Sequence, residues 1–130
     1  MSGLVARLGR SSAVHVAFAF LAMGGWALFA NRAYPLPAML MAGAVQGMLS
    51  ACLTLFLKRA VEALSNLFSG GVRLVAPPLI ACLGSATILV AFHMLSGTPE
   101  ILKTIAVPLA VSTSYAAIYN YSISRGRTAP

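Results

Sequence analysis

Four long apolar runs dominate the sequence and limit what this chain can fold into. They cover residues 13–30, 36–57, 74–95 and 101–122, and the first three contain no Asp, Glu, Lys or Arg. Each run has 18 to 22 residues, which is enough for an α-helix to cross the roughly 30 Å hydrocarbon core of a membrane. The sequence therefore predicts an all-α protein with four membrane spans in one transmembrane domain, residues 1–130.

The composition supports a membrane protein and argues against a soluble domain. Hydrophobic residues make up 59% of the chain, charged residues only 8%, and the mean hydropathy is +0.87. The net charge of +7 would allow nucleic-acid binding in principle. The basic residues, however, stand in small groups at the ends of the apolar runs, so we expect them to meet anionic membrane lipids and no nucleic acid.

The basic residues also predict how the chain is oriented. Residues 58–73, which we call the hinge, form the one strongly charged interval between the spans. With both termini on the hinge side, that side carries seven basic residues and the other side two: Arg7, Arg10, Lys58, Arg59, Arg73, Arg125 and Arg127 against Arg32 and Lys103. Because basic residues stay on the cytoplasmic side, we expect an integral membrane antiparallel four-helix bundle with both termini cytoplasmic, as in a bacterial inner membrane.

Two of the runs carry stripes of small residues at helical spacing. On the second run the stripe consists of Gly43, Gln46, Gly47, Ser50, Ala51 and Thr54, and on the third it includes Gly84 and Thr87. In a membrane such stripes let helix backbones approach closely, and a residue such as Gln46 then bonds to the neighbouring helix. The sequence leaves open whether the partner helices belong to the same chain or to another.

Groups that could carry chemistry are few. His15 and His93 lie near span ends, where we expect each to meet water or headgroups and not to share a site. Cys52 and Cys82 lie within apolar runs and are expected to be reduced thiols. Nothing resembles a nucleophile with its base, a phosphate-binding loop or a metal cluster, so we predict no enzymatic activity, no cofactor and no metal.

The absence of an acidic residue from all four runs narrows the function further. Proton- or sodium-coupled carriers generally keep an ionisable group within the bilayer. The small multidrug resistance family, which has a similar length and span count, depends on a carboxylate in its first span. Residues 13–30 contain no carboxylate, which excludes that family.

Several residues predict where the helices begin and end. Residues 77–78 are both proline, which favours a position in the first turn of the third helix. Ser96 or Thr98 is available to cap the fourth helix. An apolar stripe that continues past residue 57 predicts that the second helix extends into the hinge, until residues 70–71, both glycine, stop it.

Three short segments resemble the GtrA-like family: residues 20–25 (FLAMGG), 57–59 (LKR) and 120–125 (NYSISR). Members of that family are similar small four-span membrane proteins implicated in moving polyprenyl-linked sugars. The resemblance implies that the chain translocates a lipid-linked saccharide or another amphipathic solute.

Two functional hypotheses follow. In the first, the protein acts without catalysis through helix packing, either as a homo-oligomer or as an accessory subunit of a membrane complex, and its partners are membrane lipids and other transmembrane helices. In the second it is a translocator of the GtrA-like type, in which basic residues attract an anionic lipid headgroup at the cytoplasmic surface: Lys58, Arg59, Arg73 and Arg125.

Overall fold

The structure, a computed structural model, describes residues 12–128. Within this range the chain forms four α-helices and no strands: α1 (Ser12–Ala30), α2 (Leu36–Ser65), α3 (Val72–Ser96) and α4 (Ile101–Thr128). Each helix contains a segment long and apolar enough to cross a membrane. The prediction of an all-α protein with four long apolar helices is confirmed.

The outward-facing surface is apolar, and the interior combines many small and polar residues with a few larger apolar ones such as Leu89. Large side chains such as Phe18, Leu95 and Leu102 are 71 to 85% exposed. The buried apolar core near the hinge consists of Leu57, Val61, Ala81 and Ala116. A protein surrounded by water would bury its largest apolar side chains, so this distribution fits a chain whose exterior meets lipid.

The helix ends follow from local backbone chemistry. Pro37 lies in the first turn of α2, where its missing N–H costs nothing. The helix continues past the apolar run, as the stripe beyond residue 57 predicts, but it ends at Ser65 with Asn66 as its C-cap. The prediction that the glycines at 70–71 stop it is therefore wrong. α3 ends at Ser96, and the next residue, Gly97, has φ of 73° and donates its N–H back to the last turn. A left-handed residue at this position favours glycine, because any Cβ would be strained there.

The predicted start of α3 is wrong. The helix begins at Val72, so the prolines at 77–78 lie in its second turn. Because proline has no N–H, the carbonyl oxygens of Arg73 and Leu74 lose their helical donors. The Nδ2 group of Asn120 on α4 donates to both oxygens, at 2.8 and 3.3 Å. A side chain from another helix thus replaces the two missing backbone donors.

The small stripe of α2 packs against α1 of the same chain. A Cβ built on Gly24 of α1 would lie 3.1 Å from the carbonyl oxygen of Gly43. A Cβ on Gly47 would lie 3.0 Å from Cε2 and 3.1 Å from the carbonyl oxygen of Phe20. Glycine is needed here because the two backbones approach more closely than side chains allow.

The two adjacent glycines of α1 provide a matched test of this contact. Gly24→Leu places a side chain against the backbone of α2, whereas Gly25→Leu enters open space, since a Cβ there meets nothing within 4 Å. Both substitutions change helix propensity equally, so the difference between them reports packing alone. We expect Gly24→Leu to be less stable than Gly25→Leu by about 1–3 kcal/mol. Denaturant unfolding in detergent, followed by circular dichroism, measures this difference, and equal stability of the two variants would contradict the close contact.

Candidate functional site

Hydrogen bonds bring distant segments together at two places. Residues 31–34, after α1, bond to residues 100–104 at the start of α4, and we call this region the loop end. The hinge bonds to residues 119–120 late in α4, and we call this region the hinge end. A third group of buried polar side chains connects α2 with α3.

The connection between α2 and α3 is a chain of side-chain hydrogen bonds, which we call the histidine network. His93 Nε2 lies 2.8 Å from Gln46 Oε1, and His93 Nδ1 lies 2.6 Å from the Thr98 hydroxyl. An amide oxygen only accepts, so Nε2 carries the hydrogen, and in the neutral ring Nδ1 accepts from Thr98. Gln46 Nε2 in turn donates to the Ser50 hydroxyl at 2.8 Å. His93 and Gln46 are completely buried and each has a partner at both polar atoms.

The network corrects one expectation and gives Gln46 a partner. His93 was expected to meet water or a headgroup, which is wrong, because the side chain is 0% exposed. The projection of α3 alone could not reveal that Gln46 on α2 supplies an acceptor. Gln46 makes the interhelical bond expected for a polar residue on the small stripe. His15 is exposed on α1 and contributes nothing to this network.

Asn31 organises the loop end. This completely buried side chain donates through Nδ2 to the Thr104 hydroxyl at 2.7 Å and to the Ala27 carbonyl at 2.8 Å. Its Oδ1 accepts the backbone N–H of Glu100 at 3.0 Å, immediately before α4 begins. The expected capping of α4 by Ser96 or Thr98 is wrong, because Glu100 directly precedes the helix and the hydroxyls of Ser96 and Thr98 bond to His93.

A second contact at the loop end involves a carboxylate. The Tyr34 hydroxyl donates to Glu100 Oε1 at 2.8 Å. This hydrogen bond to the Glu100 carboxylate is the main cause that raises the pKa of Tyr34, and partial desolvation and the negative charge act in the same direction. The contact therefore persists to higher pH than the ordinary pKa of tyrosine would suggest.

The hinge end holds the other carboxylate of the sequence. The Tyr119 hydroxyl of α4 donates to Glu62 on α2. Lys58 Nζ lies 5.9 Å from the centroid of the Tyr119 ring, and Tyr115 stacks on that ring with the centroids 5.7 Å apart. The late part of α4 is thus held against the end of α2 by polar and aromatic contacts.

Beside this contact lie buried polar atoms without a hydrogen-bond partner. They are Nε and Nη2 of Arg73, Oδ1 of Asn120 and Oγ of Ser124. Asn120 is 0% and Ser124 5% exposed. Because buried polar groups are nearly always paired, this cluster is the strongest candidate for a ligand site among the described residues.

The other predicted site residues divide between the interior and the surface. Gly43, Gly47 and Ser50 are buried, and Ala51 is partly buried. Thr54 is exposed, and its hydroxyl donates a hydrogen bond to the Ser50 carbonyl. On α3, Gly84 and Thr87 are exposed, as are the headgroup candidates Lys58, Arg59 and Arg125, whereas Arg73 is half-buried. Arg7 and Arg10 lie outside the described residues.

The described residues contain no group of His, Cys, Asp and Glu side chains that could hold a metal ion. Cys52 and Cys82 are free thiols. Comparison of the chain with protein-family models, with curated proteins and with solved structures finds no match. The resemblance to the GtrA-like family and the lack of enzymatic activity therefore stay predictions.

The role of Asn120 gives a prediction with an internal control. Asn120→Leu removes the donors to two α3 carbonyls, and we expect a loss of about 1–3 kcal/mol, the cost of leaving buried polar groups unpaired. In a chain that also carries Pro77→Ala and Pro78→Ala, the backbone N–H groups are restored and the same substitution should cost much less. Unfolding free energies of the four proteins in detergent form the double-mutant cycle. An equal loss in both backgrounds would show that Asn120 does not compensate for the prolines.

Proposed function

We propose that this chain is a non-enzymatic integral membrane protein, an antiparallel four-helix bundle with both termini in the cytoplasm, which acts through helix packing. Its site of association is the outer face of α3, and its partner is a second copy of the same chain. A bacterial inner membrane is the location that its span lengths and basic residues favour.

The observation that carries the proposal is the uncovered small-residue face of α3. A Cβ on Gly84 would meet nothing within 4 Å, and Thr87 and Ala91 are exposed. A shallow apolar groove runs along this face, lined by Ala86, Thr87, Val90, Ala91 and Met94. The comparable stripe on α2 is already covered by α1. Small residues that face lipid leave a helix backbone accessible to another helix.

Two features favour a second copy as the occupant. The face carries both a groove and, at its edge, Met94, which is 67% exposed. In a two-fold interface each chain presents the same surface, so the flexible Met94 of one copy can enter the groove of the other. Inside the bundle, Gln46 and His93 have their partners within the chain, so the histidine network requires no substrate.

Gly84→Leu tests self-association. The added side chain projects from the exposed small-residue face and keeps the two helices apart. We expect the dissociation constant of the dimer in detergent to rise by about tenfold or more, since overpacking costs about 1–3 kcal/mol. Sedimentation equilibrium of the purified protein measures the change. Gly25 of α1 is also exposed, and a Cβ there also meets nothing within 4 Å. Gly25→Leu is therefore the control and should leave association unchanged.

A monomeric wild-type protein, or an equal effect of the two substitutions, would contradict the proposal. If a different membrane protein co-purifies with the monomer and is lost in Gly84→Leu, the same face serves an accessory subunit of a larger complex instead.

The second candidate function is translocation of a lipid-linked saccharide or another amphipathic solute. The observation that favours it is the cluster of unpartnered polar atoms at the hinge end, beside the exposed cations Lys58 and Arg59. An anionic headgroup would be attracted to this region.

Lipid analysis distinguishes this candidate from a protein that acts only through packing. After mild extraction of tagged protein, mass spectrometry should recover a polyisoprenoid or saccharide-bearing lipid enriched over its share of the membrane, if the chain is a translocator. Recovery of glycerophospholipids alone would argue against it.

A further inference from the structure

Two of the three guanidinium nitrogens of Arg73 donate no hydrogen bond to the residues that the structure describes. Its Nε and Nη2 atoms are buried and have no hydrogen-bond partner, although the residue as a whole is only half-buried. The guanidinium group stays protonated under all ordinary conditions. Leaving its N–H groups desolvated and unpaired costs considerably more than leaving a neutral donor unpaired.

The sequence has no third acidic side chain that could balance this charge. Glu62 and Glu100 are the two acidic side chains of the sequence. Glu62 accepts a hydrogen bond from Tyr119, and Glu100 accepts one from Tyr34 at the other end of the bundle. Neither contacts the buried nitrogens of Arg73. An anion from outside the chain is therefore the natural partner of this guanidinium.

The geometry of the free atoms restricts the kind of anion. Nε and Nη2 form one edge of the guanidinium, and their parallel N–H groups match two oxygens of one oxyanion. The Ser124 hydroxyl, which is 95% buried and also unpartnered, is one helical turn from Asn120 and can add a third donor.

Asn120 adds an acceptor to the same region. Its Nδ2 is held by the carbonyl oxygens of Arg73 and Leu74, so the orientation of the amide is fixed and Oδ1 cannot exchange places with it. This Oδ1 is buried without a partner. It calls for a donor on the ligand, such as a hydroxyl or an ammonium group.

We propose that Arg73, Asn120 and Ser124 form a binding site for a phosphate ester that carries a neighbouring hydroxyl or ammonium group. The phosphate accepts from Arg73 and Ser124, and the neighbouring group donates to Asn120. Phospholipid headgroups such as phosphatidylglycerol have this chemistry, and so do water-soluble esters such as glycerol phosphate. The site lies at the start of α3, where the partial positive charge of the helix N-terminus also favours an anion. The proposal does not depend on self-association through α3.

The test uses the full chain in nanodiscs of phosphatidylcholine, with and without phosphatidylglycerol. Native mass spectrometry measures retained phosphatidylglycerol, and the ¹⁵Nε signal of Arg73 reports the state of the guanidinium. R73Q should weaken phosphatidylglycerol binding by about tenfold or more, because hydrogen bonds to a charged group are worth about 1.5–3 kcal/mol. R59Q, which removes the same charge from an exposed position on α2, is the matched control and should have little effect.

A second arm identifies the source of the ester. Glycerol phosphate added to nanodiscs of phosphatidylcholine alone should shift the Arg73 signal if the natural ligand is water-soluble. A shift with phosphatidylglycerol alone, unaffected by glycerol phosphate, assigns the site to lipid. Either result supports the site.

If R73Q and R59Q weaken phosphatidylglycerol binding equally, the proposed site is overturned, since diffuse surface charge behaves in this way. An Arg73 signal that neither phosphatidylglycerol nor glycerol phosphate changes would overturn it too. If circular dichroism shows that R73Q does not fold, the S124A variant tests the site instead. Loss of one neutral hydrogen bond should then weaken binding about threefold to tenfold, and unchanged binding would overturn the proposal.

Discussion

A helix that crosses hydrocarbon must find a donor for each of its carbonyl oxygens, and the prolines at 77–78 withhold two donors from α3. Asn120 supplies both donors, and these bonds fix how α4 is rotated and where it lies along the axis of α3. The same logic connects α2 to α3 through the histidine network and α1 to α4 through Asn31. In lipid, leaving a polar group unpaired costs more free energy than pairing it gains. These hydrogen bonds therefore mainly determine which helices are neighbours, and they contribute less to stability.

α1 and α2 are held together in a different way. Gly24, Gly43 and Gly47 bring the two backbones into contact, and the attraction is dispersion between closely packed atoms. Lipid chains are as apolar as the side chains they touch, so there is little hydrophobic gain from burying large residues between helices. This explains why Phe18, Leu95 and Leu102 face outward while much of the interior consists of glycine, alanine and polar side chains.

The sequence predicted the helices well because membrane thickness imposes a length and a composition on each of them separately. It did not predict the partners of His93 or Asn120, because these lie on other helices and the projection of one helix contains no information about its neighbour. One signal was available: a proline pair inside a span requires an outside donor, and Asn120 is a strong donor late in the fourth run. The stripes on α2 and α3 looked alike in sequence, yet α1 covers the first and the second remains exposed.

The two ends of the bundle differ in how their polar groups are balanced. At the loop end, Asn31, Thr104 and Glu100 satisfy one another. At the hinge end, Glu62 is engaged by Tyr119, and Arg73 keeps buried donors without an acceptor. A partner that binds the folded chain and not the unfolded one stabilises it in proportion to the logarithm of its concentration. An anion at Arg73 would thus couple the stability of this bundle to the composition of its surroundings, whichever function the α3 face serves.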